Sequence, residues 1–231
     1  MLRLIACAAI ALTLFALPAR SADDNILRRD KGTVTFTLPG DDPLPLEGEV
    51  AVSDAVVATT AIATLATLQL TDSSEIRIGD RTTVRIGDLH AAEAAGPASG
   101  TIFLERGAVR FNVVHPKGAK ANYRFVTPTT QVAVRGTVGY FVAGPTGDQV
   151  YCVKCQQGDV VITTASQTIE IHSGQSLNVH LENGAVASSE VVGNRTINNP
   201  AIDQFLNGFS PFGKPAQNGS DMTGSGSGQR L

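Results

Sequence analysis

The chain has 231 residues, enough for one domain or two, and its formal net charge is −3. Hydrophobic residues make up 42% and aromatic residues only 5%, and there is no tryptophan, so the core has to be built from Val, Ile, Leu, Ala and Thr. Val, Ile and Thr suit a pleated sheet better than a helix. The weakly acidic balance and the absence of a Lys/Arg stripe exclude the usual electrostatic footprint of a nucleic-acid-binding protein.

The first 21 residues have the outline of a secretory signal peptide. Arg3 supplies the positive charge, a largely apolar run covers residues 4–17, and Ala19 and Ser21 are the small residues expected before cleavage at Ala22. An uncleaved anchor is the alternative, but the run is short for a membrane span, which takes about 20 apolar residues. We expect a soluble mature chain, periplasmic or secreted, with no later segment that spans a bilayer.

Residues 22–45 are predicted to form a leader with one strand, because apolar residues alternate with threonines over residues 34–38. The main β-domain is predicted over residues 46–195. Its segment 55–70 could be drawn as a helix, but its many threonines and valines favour strands.

The tetrapeptide Arg-Ile-Gly-Asp occurs twice, at residues 77–80 and 85–88. Apolar and polar residues alternate around both copies, which predicts two short strands with a turn at each Gly-Asp. Asp88 is also a candidate N-cap for one helical turn within residues 88–96.

A glycine, one further residue and a valine recur at Gly107, Gly136, Gly158 and Gly184. The spacing is too irregular for a solenoid repeat. It fits a meander or Greek-key sheet in which each glycine opens a strand with a backbone angle that a larger residue would resist. Helical periodicity is weak between them, so parallel βαβ units are not predicted.

Residues 196–231 are predicted to hold one short helix and a disordered tail. Asn199 is a candidate N-cap, Pro200 suits the first helical position and Gly208 is a candidate stop. The following sequence is rich in Gly, Ser and Pro, as in flexible chains.

The sequence carries none of the common phosphate-binding, hydrolase or zinc-protease motifs. The four histidines are far apart, and we interpret each as a surface or turn residue: His90, His115, His172 and His180. No carboxylate pair stands out among the 21 Asp and Glu residues, although acids distant in sequence could converge in space. We therefore predict no catalytic residues, no metal site and no cofactor.

Cys152 and Cys155 are the cysteines that remain after export. In a straight strand they would point to opposite faces about 10 Å apart, whereas a disulfide needs Cα atoms within about 7 Å. A bulge near Val153 would reconcile the two registers. An intrachain disulfide in an oxidising compartment is the first interpretation. Separately packed thiols, a thioredoxin-like redox pair and half of a metal site are the alternatives.

Three sequence blocks, in this order, resemble the FecR domain family over about residues 48–182. They are LTDSSEIRIGDRTTVRI (70–86), LERGAVRFNV (104–113) and FVTPTTQVAVRGTVGYFV (125–142). The chain departs from the family at Ser73, where the family prefers glycine, so a looser turn is expected there.

The resemblance implies an all-β fold, an antiparallel and jelly-roll-like β-sandwich. It implies structural roles for the residues that match the family blocks: Asp72, Gly107, Phe111, Pro128, Arg135, Gly136 and Thr137. The Val-Arg-Gly-Thr segment is interpreted as a strand followed by a bend, because a glycine between β-branched neighbours supplies backbone freedom or allows close approach. Contact of Arg135 with a ligand or partner is the alternative.

Well-known members of this family join an exported FecR domain to a cytoplasmic anti-sigma segment through one membrane helix, and they sense an iron-loaded outer-membrane receptor. We expect neither the anti-sigma segment nor the membrane helix in this chain, so the resemblance does not imply a role in transcriptional signalling. We expect a non-enzymatic exported domain that binds a protein partner or envelope component, with an outer-membrane receptor as a candidate by resemblance only. The alternatives are a structural or surface-attached exoprotein with a tethering tail, and a thiol redox protein that uses Cys152 and Cys155.

Overall fold

The computed structural model describes residues 24–91, 97–114, 121–156, 158–193 and 199–207, and these form 17 strands and one helix. The first nine strands are β1 (Asn25–Lys31), β2 (Val34–Thr37), β3 (Leu44–Pro45), β4 (Glu49–Val52), β5 (Val57–Thr60), β6 (Leu65–Gln69), β7 (Glu75–Ile78), β8 (Thr83–His90) and β9 (Ser99–Asn112). The others are β10 (Asn122–Val126), β11 (Thr130–Val134), β12 (Val138–Gly144), β13 (Gly147–Lys154), β14 (Val160–Thr164), β15 (Thr168–Glu170), β16 (Gln175–Glu182) and β17 (Ala185–Gly193), followed by helix α1 (Pro200–Asn207). The predicted signal peptide, residues 1–21, lies outside the described residues.

The strands form two layers that share one strand. Sheet A has the order β4-β1-β6-β7-β9-β12-β13-β16-β17. Sheet B has the order β3-β2-β5-β8-β9-β10-β11-β14-β15, and its β9–β10 pair is parallel while every other pair in both sheets is antiparallel. Between them lies one core, in which the rings of Phe111 from sheet A and Phe125 from sheet B are 5.1 Å apart. The predicted all-β sandwich is confirmed.

Strand β9 belongs to both sheets. Residues 99–106 pair with β8 in sheet B, and residues 107–112 pair with β12 in sheet A. The change of sheet occurs at Gly107, whose φ is +95°. A Cβ at this position would lie 2.6 Å from Cα of Thr82 and closer still to the Thr82 hydroxyl oxygen. Glycine is therefore required here both by the backbone conformation and by the approach of the neighbouring chain.

Left-handed residues mark most crossovers between the two sheets. Positive φ values occur at such crossovers in Gly32, Ala55, Ala63, Arg81, Gly136, Gly158 and Gly174. The unusual backbone angle predicted for the recurring glycines is confirmed at Gly107, Gly136 and Gly158, which lie at changes of sheet, but Gly107 lies inside β9 and does not open a strand. Gly184 also has a positive φ, but it lies in the hairpin turn between β16 and β17.

The second half of the chain adds hairpins to the two sheets in turn. The β10–β11 and β14–β15 hairpins extend sheet B, whereas β12–β13 and β16–β17 extend sheet A. The chain thus crosses repeatedly from one layer to the other, as expected for a jelly-roll-like sandwich.

Helix α1 begins where the sequence predicted. Asn199 is its N-cap, because the Asn199 side-chain Oδ1 accepts a hydrogen bond from the Ala201 backbone amide at 2.9 Å. Pro200 takes the first helical position. The predicted stop at Gly208 and the tail that follows lie outside the described residues.

The helix covers part of the outer face of sheet A. The ring of Phe205 lies 5.8 Å from the ring of Tyr140 on β12. Ile202 joins them in a second apolar cluster that includes Leu65 of β6 and Ala108 of β9. Sheet A therefore buries side chains on both faces at its centre.

Two local expectations need correction. The Gly-Asp at 87–88 does not form a turn, because β8 continues through it to His90 with a register shift against β9. The helical turn predicted from Asp88 is wrong over residues 88–90, which are strand, and residues 92–96 lie outside the described part of the chain. The segment 55–70 forms β5 and β6, as its composition favoured.

The segment predicted as a leader contributes strands to both sheets. Strand β1 pairs with β4 and β6 in sheet A, and β2 pairs with β3 and β5 in sheet B. The side chain of Leu27 in β1 is fully buried in the core. These contacts make residues 25–37 part of the folded domain.

Candidate functional site

The Arg-Gly-Thr segment lies at the crossover from β11 to β12. Arg135 is exposed, and its backbone amide donates to the Asp159 carbonyl at 2.9 Å. Thr137 is buried; its hydroxyl donates to the Lys154 carbonyl and contacts the Cys155 sulfur at 2.8 Å. With Gly136 in a left-handed conformation between them, the segment is hydrogen-bonded to the end of β13 at Lys154 and to Asp159, just before β14.

The two cysteines meet across a bulge in β13. Val138 pairs with Lys154 and Gly139 pairs with Cys152, so Val153 is the extra residue of the bulge, as expected from the sequence. The Cys152 and Cys155 Cα atoms are 6.1 Å apart, and their sulfurs are at disulfide distance. Cys152 is fully buried, so a redox partner would have to reach the half-buried Cys155.

Asp72 shapes the turn between β6 and β7. Its Oδ1 accepts from the Ser74 amide at 2.8 Å, and the Ser74 hydroxyl accepts from the Val114 amide at 3.1 Å. Ser73, between them, has a φ of +70°, a conformation that explains the family preference for glycine at this position. Burial is the main cause that raises the pKa of the Tyr123 hydroxyl, and the neighbouring Asp72 carboxylate raises it further.

Pro128 lies on the exposed turn between β10 and β11, beside a buried carboxylate that sequence reasoning missed. The hydroxyls of Thr127 and Thr129 donate to Oδ2 of Asp148 at 2.6 and 3.0 Å. Asp148 is 2% exposed and belongs to β13, so these bonds tie a sheet B turn to a sheet A hairpin. The Thr-Pro-Thr-Thr turn and an acid beside a hairpin glycine are the only sequence signals for this contact.

The seven family-matching residues are therefore distributed over separate turns and crossovers. Phe111 is in the core, Gly107 is the corner of β9, and the others hold the turns described above. Among the described residues no group of three or more His, Cys, Asp or Glu side chains could hold a metal. The three described histidines, His90, His172 and His180, are exposed, and His115 lies outside the described residues.

The sheet edges offer a different kind of site. Each sheet has two edge strands, β4 and β17 in sheet A and β3 and β15 in sheet B. Strand β3 has two residues, one of them Pro45, and β15 has three. Strand β17 has nine residues and pairs only with β16 among the described strands. It is by far the longest open edge in the described part of the chain.

Strand β17 has few of the features that block strand addition. Its sequence is AVASSEVVG, with Glu190 as its one charged residue and with no proline or lysine. Val191 is 42% exposed although it lies directly opposite the core residue Leu177. Natural edge strands are usually protected by charges, prolines or bulges, and in β17 Glu190 and a register shift near Leu181 are the two such features.

Comparisons with known proteins give one family match and two similar solved structures. Residues 56–161 match the family model described as "FecR protein". Two crystal structures, at 1.65 and 2.50 Å resolution, of a protein from Parabacteroides distasonis ATCC 8503 described as a "putative anti-sigma factor" are similar, with 15% and 16% identity and TM-scores of 0.48 and 0.47. Each match covers 59% of this chain and 59% of the other, so the chain spans less than two thirds of those structures. No curated protein matches the chain.

None of the helices in the described residues is long and apolar enough to cross a membrane. The family match runs from the start of β5 into β14 and includes the shared strand β9, the corner at Gly107 and the Arg-Gly-Thr crossover. The chain therefore contains a region, residues 56–161, that matches the FecR domain family.

Proposed function

We propose that the chain is a non-enzymatic binding module of the cell envelope, which takes up a segment of a protein partner by strand addition along β17. The observation that carries this proposal is the open, nine-residue edge of sheet A. An added strand would satisfy the backbone N–H and C=O groups that β17 leaves unpaired, so main-chain hydrogen bonds would supply affinity and alternate side chains would supply specificity.

The side chains along this edge favour an uncharged or basic partner strand. Glu190 pairs with Asn178 of β16, and the strand is otherwise made of Ala, Val, Ser and Gly. A partner residue opposite Glu190 would be neutral or cationic, because like charges directly opposite each other destabilise a strand pair. Small apolar and hydroxyl side chains would suit the positions beside Val191.

The location in the envelope rests on sequence features and on the cysteine pair. The signal-peptide outline at residues 1–21 and a cysteine pair at disulfide distance both favour an oxidising, exported environment. An outer-membrane receptor remains a candidate partner by family resemblance alone.

Site-specific photocrosslinking in cells tests the proposal. A photoreactive amino acid replaces Val191 on β17 in one variant of the full-length chain and Leu44 on the β3 edge in another. The two positions are a matched pair, because they are apolar edge residues with 42% and 46% exposure. We expect a discrete crosslinked protein from the Val191 position and none from the Leu44 position.

Three results would contradict this function. Equal crosslinking from both edges would indicate non-specific contact. Loss of the partner in a chain that ends after Asn207 would favour the surface-attached exoprotein with a tethering tail. Thiol-exchange activity that disappears in Cys155→Ser, without any crosslinked partner, would favour the redox protein.

A further inference from the structure

A groove on the outer face of sheet B is separate from the β17 edge. It has a volume of about 670 Å³ and is lined mainly by Thr33, Thr35, Thr59, Ile62, Arg81 and Arg106. This volume lies within the range of about 300–1,000 Å³ that is usual for small-molecule sites. The lining contains two arginines and no acidic residue.

A row of threonines begins in the groove, which Thr35 and Thr59 line, and continues beyond it to the buried Thr83. Thr35 of β2 lies directly opposite Thr59 of β5, Thr59 lies opposite Thr83 of β8, and Thr83 lies opposite Arg106 of β9. Neighbouring strands are about 4.8 Å apart, so the row places polar side chains at regular steps that end at a guanidinium group. The half-exposed Thr35 and Thr59 hydroxyls have no hydrogen-bond partner among the described residues.

The two arginines are carried by rigid backbone. The Thr82 hydroxyl accepts a hydrogen bond from the Ala108 amide at 3.0 Å. This bond joins the chain next to Arg81 to the chain close to Arg106. The Arg81 amide also donates to the Ala61 carbonyl at 3.1 Å, and Arg81 has a φ of +50°. The same conformation occurs at other crossovers between the sheets, and here it fixes the backbone from which the Arg81 side chain projects.

The charge of the groove is little compensated within the protein. Nε of Arg81 lies 3.4 Å from Oδ2 of Asp80, but the Arg81 side chain is 72% exposed, and ion pairs at the surface contribute little. Arg106 is exposed and has no ion-pair partner among the described residues. Two cationic side chains in one groove favour an anionic ligand, since a carboxylate or phosphate accepts charge-assisted hydrogen bonds from guanidinium groups.

We propose that this groove binds an acidic saccharide, whose carboxylate or phosphate contacts Arg81 and Arg106 and whose hydroxyls contact Thr35 and Thr59. Threonine hydroxyls both donate and accept hydrogen bonds, as sugar hydroxyls do. A peptide strand fits less well, because β2, β5, β8 and β9 are each paired on both sides and leave no edge beside the groove. Ile62, 73% exposed at the rim, offers an apolar contact for a sugar ring face.

Calorimetric titration of the full-length mature chain tests this assignment. The probes are trigalacturonate, its fully methyl-esterified form, glucose 6-phosphate and a triglutamate peptide. We expect saturable binding of trigalacturonate or of glucose 6-phosphate, and the tighter of the two identifies the acidic group. The neutral ester and the peptide should bind at least about tenfold more weakly, the factor that corresponds to about 1.4 kcal/mol.

Variants connect binding to the groove. Arg106→Gln should weaken the affinity about tenfold or more, because a charge-assisted hydrogen bond is lost at unchanged side-chain size. Thr59→Val, which keeps the shape and removes the hydroxyl, should weaken it a few-fold. Arg135→Gln is the matched control, since Arg135 is another exposed arginine at a crossover, and it should bind like the unaltered chain.

Four outcomes would overturn the proposal. They are absence of saturable binding to both acidic sugars, equal affinity for the methyl ester, equal affinity for triglutamate, and equal weakening by Arg135→Gln and Arg106→Gln. The β17 edge plays no part in this experiment, so its result is independent of the photocrosslinking result.

Discussion

The role of Gly107 at the change of sheet in β9 can be tested by adding a single methyl group. Gly107→Ala places a Cβ where Thr82 already stands, with its Cα only 2.6 Å away. The backbone at Gly107 also has a φ of +95°, which L-residues with a side chain rarely adopt. The substitution therefore combines backbone strain with a collision that backbone atoms cannot avoid cheaply.

The expected loss follows from these two contributions. A side chain in the left-handed region costs about 1–2 kcal/mol. Overpacking against Thr82 costs about 1–3 kcal/mol, and weakening the Thr82 hydrogen bonds to Ala108 costs about 1 kcal/mol more. Alanine also has less conformational freedom than glycine in the unfolded chain, which offsets about 0.4–1 kcal/mol of this loss. We expect Gly107→Ala to lower the free energy of unfolding by about 2–6 kcal/mol, a large share of the 5–15 kcal/mol typical of whole proteins.

Urea unfolding followed by circular dichroism measures this loss, and Gly174→Ala is the matched control. Gly174 also lies at a change of sheet with a φ of +80°, but a Cβ there would meet nothing within 4 Å. Its substitution should cost only about 1 kcal/mol, from strain alone. If Gly107→Ala loses no more stability than Gly174→Ala, the close approach of Thr82 is not what fixes the corner.

Three further substitutions test the turns and the bulge. Gly136→Val should lower the free energy of unfolding by about 1–3 kcal/mol, because φ is +111° there. As the control, Arg135→Ala should change it by less than about 0.5 kcal/mol. An unchanged melting temperature for Gly136→Val would contradict the left-handed crossover. Replacing Cys152 and Cys155 together by alanine should cost about 1–2 kcal/mol and retain the strand spectrum, because the closed loop is short; thiols that react freely with Ellman's reagent in the native exported protein would exclude the disulfide. Ser73→Gly should raise the urea midpoint by the equivalent of about 0.5–1 kcal/mol, because glycine relieves the strain at φ +70°, and a lower midpoint would show that the serine side chain stabilises the turn.

Local signals in the sequence were sufficient for many single elements. The composition of residues 55–70 predicted strands, and the Asn-Pro pair predicted the start of α1. The bulge at Val153 was predictable because Cys152 and Cys155 can form a disulfide only if the strand departs from straight geometry between them. Each of these inferences depends on residues close together in the chain.

Features that depend on distant contacts were not predictable in this way. The polar segment around Leu27 contains one fully buried apolar residue, and its place between β4 and β6 is set by pairing rather than by composition. At Asp88 the helix-capping signal is overridden by pairing of β8 with β9. The Thr127–Asp148 bond joins residues 21 apart on different sheets, and the threonine row of the sheet B groove exists only once β2, β5 and β8 are aligned.

The shared strand has a consequence for how the domain opens. The amide groups of β9 have neighbouring strands on both sides over most of their length, and the strand contributes Leu104 to the sheet B side of the core and Phe111 to the sheet A side. Neither sheet can detach while the other stays intact, since both would lose their middle strand at once. Hydrogen–deuterium exchange in β9 should therefore proceed only through global unfolding, while the amides of β17 and β15 exchange through local fraying at the rims. The two layers form a single cooperative unit, and a cut at Gly107 would yield two fragments without a sheet centre and no folded half-domain.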